Sequence, residues 1–283
     1  MADIKRIGVV GAGQMGAGIV QVAAQAGFDV TLRSRKIESA RQCADAIANA
    51  LSRLATKGKI SQSDADGALA RISVTDRLDE LADCDLVIES VVEDLATKTE
   101  LFKQLDRCCD DAILATNTST LSVTEIAVAT SRPESVVGIH FFNPAPVMSL
   151  IEIVRALTTD EAVAESAVAF AQACGKTPVE VADRAGFVVN ALLFPYLNNA
   201  VMLLETGVAD RDAIDAAMKG GCGFPMGPLA TLDLVGLDTS VAILEALHAE
   251  YGDPLMRPHP RLKRMAAAGR LGRKSGVGFY DYR

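Results

Sequence analysis

Apolar positions fall into short runs in the first part of the chain and into helical spacing in the last part. Ile7 to Val10, Asp29 to Leu32, Asp85 to Glu89, Ala112 to Thr116 and Val136 to Ile139 are apolar and rich in β-branched residues, and most alternate with stretches of helical period. That alternation predicts an α/β layer built on a doubly wound, mostly parallel sheet. Lys36 to Thr56 and Ser61 to Ala70 break the rhythm, reading as two successive helices before a strand near Ile72. They predict a helical hairpin inserted at about 36–71. The strand signal stops after Pro178 to Val181, and from Gly186 onward the chain reads as helices punctuated by Gly207, Gly220-Gly221, Gly227-Pro228 and Gly236. The expected organisation is a sheet domain over 1–184 and a smaller all-α domain over 185–283.

Composition narrows the class. A net charge of −8 argues against a nucleic-acid binder, whose phosphate contacts require a basic face. Cys43, Cys84, Cys108, Cys109, Cys174 and Cys222 show neither the spacing of a zinc site nor that of a disulfide framework, which fits reduced thiols in a cytoplasm. An apolar strand starting at Ile7 leaves no room for a signal peptide. Phe187 to Leu197, the longest apolar run, contains Asn190 and Pro195 and falls short of the ~20 residues that a bilayer requires. The expectation is a soluble, cytoplasmic protein without a metal.

Gly11-Ala12-Gly13-Gln14-Met15-Gly16 follows the first strand and opens a helix-like run, the context in which G-x-G-x-x-G binds a dinucleotide in a Rossmann-like domain. Gly11 permits a tight turn, Gly13 lets the backbone approach a pyrophosphate, Gly16 allows close packing, and the helix N-terminus attracts the anion. At the end of the next strand, an acid ordinarily holds the ribose 2′-hydroxyl of NAD. Arg33-Ser34-Arg35 stands there instead, and a hydroxyl between two guanidinium groups suits a 2′-phosphate. NADP is therefore favoured over NAD, with two solvated loop arginines as the alternative.

A second constellation carries chemistry. His140 is one of three histidines and lies in Gly138-Ile-His-Phe-Phe-Asn-Pro-Ala-Pro-Val-Met-Ser-Leu-Ile-Glu-Ile153. A Pro-rich loop separates it from the apolar run holding Glu152, so the two side chains can meet as a base and its orienting carboxylate. A core histidine beside a strand-edge glutamate is equally compatible with those residues alone. Ser119 lies just beyond the carboxyl end of a strand, where open α/β sheets bind ligands, although a serine there can also cap a helix. Asn190 falls on the first helix of the second domain and requires a hydrogen-bond partner if buried.

Gly11 to Gly16, Asn117-Thr-Ser119, His140-Phe-Phe-Asn-Pro144, Gly186-Phe-Val-Val-Asn190, Pro225-Met-Gly-Pro228 and Gly272-Arg-Lys-Ser-Gly-Val-Gly-Phe-Tyr280 together resemble the L-3-hydroxyacyl-CoA dehydrogenase family. The resemblance spans essentially the whole chain and is closest to the short bacterial 3-hydroxybutyryl-CoA dehydrogenases. It implies reversible hydride transfer between C3 of a (3S)-3-hydroxyacyl-CoA and a nicotinamide. His140 becomes the general base, Glu152 its orienter, and Ser119 and Asn190 the groups that bind the substrate oxygen. Asn117, Ser119, Glu93, Lys98, Asn143 and Lys274 become cofactor contacts. Asn49, Arg53 and Lys57 recur every four residues with Lys59 close behind, and the resemblance places CoA on that stripe. Without the resemblance, the stripe reads as a solvated basic face. The family also implies a homodimer formed through the helical domain.

Three positions depart from the family pattern: Ser34 replaces an acid, Ala191 stands where relatives have arginine, and Thr120 follows Ser119 where serine is usual. Two other readings compete, an L-gulonate-type 3-dehydrogenase and a redox-inactive, crystallin-like binding protein. A β-hydroxyacid dehydrogenase of the hydroxyisobutyrate type would need a lysine one turn before Asn190, and Gly186 occupies that position.

Overall fold

A computed structural model describes residues 4–283. They divide into two units, one ending at Asp183 and one spanning Arg184–Arg283. The first is built on eight strands: β1 (Arg6–Val10), β2 (Asp29–Arg33), β3 (Ile72–Thr75), β4 (Leu86–Glu89), β5 (Ile113–Thr116), β6 (Val136–Phe141), β7 (Leu150–Arg155) and β8 (Thr177–Ala182). They form one sheet in the order β3-β2-β1-β4-β5-β6-β7-β8. All neighbouring pairs are parallel except β6 and β7. The exception has a simple cause, because eight residues without a helix join these two strands, and a parallel return requires a crossover of a dozen or more.

Six helices accompany the sheet: α1 (Gln14–Gln25), α2 (Ile37–Thr56), α3 (Gln62–Ala70), α4 (Leu95–Cys108), α5 (Val123–Ala127) and α6 (Glu161–Ala173). The expected hairpin insertion is α2 and α3. Ser61 caps α3 in a reciprocal capping box with Asp64, which fixes where the second arm begins. One core gathers Ile7, Val9, Leu86, Ile88, Ala115, Ile139 and Ile153 with buried residues of α1, α2, α3 and α6. Alternate strand residues face the other way, toward α4 and α5, whose Leu101, Phe102, Leu105, Val123 and Ile126 are buried.

The second unit is helical, with α7 (Val189–Glu205), α8 (Arg211–Cys222), α9 (Pro228–Val235), α10 (Leu237–Tyr251) and α11 (Pro260–Ala267) around a core of Phe194, Leu197, Leu229, Leu232, Leu244 and Leu262. One expected break is misplaced. Gly220 and Gly221 lie inside α8, and the helix ends at Gly223, which takes the left-handed conformation at φ +70°. No helix among the described residues is long and apolar enough to cross a membrane.

Candidate active site

Four polar side chains share the α4/α5 face of the sheet near its carboxyl edge. Glu89 and Thr116 close β4 and β5, and are themselves register partners. His140 on β6 is paired in register with Glu152 on β7. Because their strand neighbours Ile88, Ala115, Ile139, Phe141, Ile151 and Ile153 belong to the core on the α1 side, the period of two turns all four to the opposite face.

His140 Nδ1 lies 2.8 Å from Glu152 Oε2, and Nε2 lies 3.0 Å from Ser119 Oγ. Both His140 and Glu152 are buried. With Glu152 ionised, Nδ1 carries the hydrogen and donates it to the carboxylate, while Nε2 accepts from the Ser119 hydroxyl. The Phe142 ring packs 4.5 Å from the imidazole centroid and limits its rotation. The antiparallel register of β6 and β7 brings these two side chains within hydrogen-bond distance.

Ser119 is held by its backbone. Glu93 Oε1 accepts the Ser119 N–H at 2.8 Å, the Thr120 N–H at 3.2 Å and the Thr118 hydroxyl. Burial alone would raise the Glu93 carboxyl, but the Lys98 charge and the donors from Thr118 and Ser119 outweigh it and hold its pKa below the ordinary value. Asn117 ties the neighbouring strand ends together: its Oδ1 accepts the Phe141 N–H at 2.8 Å, and its Nδ2 lies 3.4 Å from Ser90 Oγ.

Lys98 differs from the expected direct cofactor contact. It is fully buried, with its ammonium 2.7 and 2.9 Å from the two oxygens of Glu89 and 3.2 Å from Glu93 Oε2. Glu89 was not singled out from the sequence. The available signal was the spacing of Lys98, Leu101, Phe102 and Leu105, an i, i+3, i+4, i+7 stripe with a cation at a core position. A lysine there demands a buried carboxylate.

The glycine loop passes a steric test for a dinucleotide. A Cβ on Gly11 would stand 2.2 Å from Ser90 O, and one on Gly16 would stand 1.8 Å from Gly11 O, so both positions exclude a side chain. Around Gly13 nothing lies within 4 Å, which leaves backbone open to an anion. Gly13 is also the N-cap of α1 and supplies no side-chain cap, so ligand oxygens have first-turn N–H groups to bind. Ala12 and Met15 pack partly against the core and anchor the loop, whereas Gln14 is exposed.

Arg33 closes β2, with Ser34 and Arg35 just after it, beside this loop, since the Gly11 N–H donates to Arg33 O at 2.9 Å. Arg33 Nε donates to the Asp76 carbonyl at 3.3 Å. Burial and the neighbouring Arg35 cation lower the pKa of Arg33, with Asp76 partly opposing. Asn49, Arg53, Lys57 and Lys59 are all exposed; Asn49 and Arg53 lie opposite the buried Ala40, Cys43, Ile47 and Leu51 face of α2, and Lys57 and Lys59 follow its end. None of the three cations joins an ion pair among the described residues. Asn143 is exposed in the β6–β7 loop.

In the second unit, Asn190 is buried at the second residue of α7. Lys274 pairs with Asp238 at 2.6 Å. The Gly272 to Tyr280 motif has a structural basis there, because it wraps the fully buried Asp233, which accepts the Phe279 and Tyr280 N–H groups at 2.8 Å each.

Residues 6–184 match the model of the 3-hydroxyacyl-CoA dehydrogenase NAD-binding domain, and residues 186–282 match that of the 3-hydroxyacyl-CoA dehydrogenase C-terminal domain. A 3-hydroxybutyryl-CoA dehydrogenase of Mycobacterium tuberculosis is 47% identical over 286 residues, covering 100% of both chains. One from Clostridioides difficile is 45% identical over 278 residues, covering 98% of this chain and 99% of its own. Among solved structures, the (S)-3-hydroxybutyryl-CoA dehydrogenase of Ralstonia eutropha superposes with a TM-score of 0.96 at 41% identity, covering 99% of this chain and 100% of the other. The chain belongs to the 3-hydroxyacyl-CoA dehydrogenase family. It is an oxidoreductase of the NAD(P)-dependent 3-hydroxyacyl-CoA dehydrogenase class.

Proposed function

We propose that the protein interconverts (3S)-3-hydroxybutanoyl-CoA and acetoacetyl-CoA, using His140 as the acid–base group and NADP in preference to NAD. The hydrogen-bonded series Ser119–His140–Glu152 carries this reading. In oxidation, His140 Nε2 takes the proton of the C3 hydroxyl, and Glu152 stabilises the imidazolium that results. In reduction, the imidazolium returns that proton to the C3 oxygen. Ser119 donates a hydrogen bond to this oxygen as negative charge develops, an interaction stronger in the transition state than in the ground state. The family resemblance gives Asn190 the same role. A bound nicotinamide supplies the hydride acceptor in oxidation and the donor in reduction. Gly11 to Gly16 would cradle its pyrophosphate, with Asn117, Glu93 and Asn143 as further contacts from the first unit. The resemblance adds Lys274 from the second.

Initial rates of acetoacetyl-CoA reduction with NADH and NADPH, measured in parallel on purified protein, test this function directly. Cofactor binding without turnover would favour a crystallin-like role instead. The arginine pair is the basis for expecting a higher kcat/KM with NADPH, because an anion between Arg33 and Arg35 relieves their mutual repulsion. Arg33→Ala is expected to cut the NADPH/NADH preference by roughly tenfold, about 1.5 kcal/mol for one charge-assisted hydrogen bond. An unchanged preference would mean that both arginines are merely solvated.

The unpaired cations Arg53, Lys57 and Lys59, in the last turn of α2 and just beyond it, support CoA recognition. Like charges one turn apart repel, and the 3′-phosphate of CoA would offset that repulsion. Lys57→Glu should raise KM for acetoacetyl-CoA several-fold at low salt with kcat unchanged, and an unaltered KM would remove CoA from this stripe. Exposed Leu192, Val208, Phe224 and Leu255 on the helical unit support dimerisation through it. Light scattering should then give twice the chain mass, whereas a monomer would contradict the reading. Six free thiols are consistent with a cytoplasmic setting.

A further inference from the structure

Glu89 and Lys98 are both fully enclosed, and every side-chain oxygen and nitrogen they carry is engaged. Glu89 Oε1 accepts the Val91 N–H at 2.6 Å and the Lys98 ammonium at 2.7 Å. Its Oε2 accepts the Thr116 hydroxyl at 2.7 Å and Lys98 again at 2.9 Å. The remaining reach of Lys98 is spent on Glu93 Oε2 at 3.2 Å, and Glu93 Oε1 binds the turn that carries Ser119. We infer that Glu89 and Lys98 are positioning residues for Ser119: Glu89 fixes the Lys98 ammonium, Lys98 anchors Glu93, and Glu93 sets the Thr118–Thr120 turn that presents the serine hydroxyl to His140. This inference rests on the role given to Ser119 above.

Three observations separate this arrangement from an ordinary stabilising ion pair. The first is its polarity, because one end is rigid and the other is not. Glu89 lies in a sheet strand with register partners on both sides, and the Lys98 stem is buried on α4 with Leu101 and Phe102. Glu93 retains 36% side-chain exposure and would turn toward water without its cation. The second is where the series ends: Glu93 gathers the Ser119 N–H, the Thr120 N–H and the Thr118 hydroxyl, so its displacement removes the acceptor from the whole turn. The third is the surroundings. In a low-dielectric interior a fully satisfied polar network is stiff, and a partly satisfied one rearranges. Val91 extends the same influence to the cofactor loop, since its bond to Glu89 shapes the turn whose Ser90 carbonyl abuts Gly11.

A kinetic double-mutant cycle between Glu89 and Ser119 tests the inference, using Glu89→Gln, Ser119→Ala and the double variant in acetoacetyl-CoA reduction. Glu89→Gln is expected to lower kcat by about 10- to 100-fold, as small misplacements of a reacting group do, and to raise KM for the cofactor as well, because Glu93 and the Val91 turn border its loop. In the Ser119→Ala background, Glu89→Gln should cause no further loss, because the group it positions is gone. Equal losses in both backgrounds would overturn the proposal and make Glu89 a general element of stability. Unchanged kcat in Ser119→Ala would overturn the role of Ser119 itself, a different result from additivity. Should Glu89→Gln fail to fold, Thr116→Val removes one donor from Glu89 and keeps every charge. It should also lower kcat in the wild type and have no effect in Ser119→Ala, and full wild-type turnover would sink the idea.

Discussion

His140→Gln lowers kcat for acetoacetyl-CoA reduction by about 10²–10⁴-fold, the range expected when a general acid–base group is removed. Glutamine is of similar reach and can hydrogen-bond to Glu152 and Ser119, so the cross-strand pair on β6 and β7 survives and the fold is retained. What it lacks is a nitrogen that exchanges a proton near neutral pH. Thermal unfolding and cofactor binding should therefore stay near wild type while turnover collapses, a combination that partial unfolding cannot mimic. Glu152→Gln tests the same pair from its other side. A carboxamide can donate to Nδ1, which moves the imidazole hydrogen to Nε2 and leaves no base facing the substrate oxygen. The comparable change in a serine protease triad costs about 10⁴ in kcat. Near-wild-type turnover in either variant would remove the pair from the mechanism.

The pair was legible as an expectation because two apolar runs separated by a Pro-rich loop are a hairpin signal. Its register was not. Shifting β7 by one residue would turn Glu152 into the core and Ile151 or Ile153 toward His140, and nothing in the loop sequence forbids that. Residues on both faces decide it: with Ile151 and Ile153 buried on the α1 side, Glu152 has only one place to go. The glycine loop was legible for a different reason, since contact with backbone at Ser90 and Gly11 leaves glycine as the fitting residue and so writes geometry into residue type.

The pairings that stayed hidden share one physical character. Lys98, Asp215 and Asp233 are all buried charges, and each occupies a position where helical spacing points inward. A single charged residue in an apolar stripe looks like noise in a hydrophobicity pattern, but burial makes it the most constrained residue there, because its partners must come from elsewhere in the chain. Glu89 is nine residues from Lys98, and Asp233 is 46 from Phe279. Such separations leave no local motif. The misplaced helix break has the converse cause: Gly220 and Gly221 are exposed and cost α8 only some propensity, whereas Gly223 takes the left-handed conformation that ends it.

Asp233→Ala should destabilise the helical unit by about 4 kcal/mol, because each enclosed donor left without its acceptor costs about 1–3 kcal/mol and the Phe279 and Tyr280 N–H groups both lose theirs. The carboxylate accepts the Phe279 and Tyr280 N–H groups and, at 3.1 Å, the Tyr282 hydroxyl. Alanine removes the acceptor and leaves a void that water can reach only by displacing the C-terminal segment. Gly272 and Gly278 pack so closely that a Cβ on either would lie within 2.3 Å of an Asp233 atom, so the segment has no slack with which to find other partners. Asp233→Asn preserves shape and one acceptor oxygen while turning the other into a donor that faces Tyr280 and Tyr282, and it should lose roughly half as much. Urea denaturation followed by circular dichroism measures both, with hydrogen exchange at residues 272–282 locating the loss. A change below about 1 kcal/mol for Asp233→Ala would show that the segment is held by Tyr280 on Asp215 and by Arg211 stacked 4.0 Å over the Tyr280 ring, and not by Asp233.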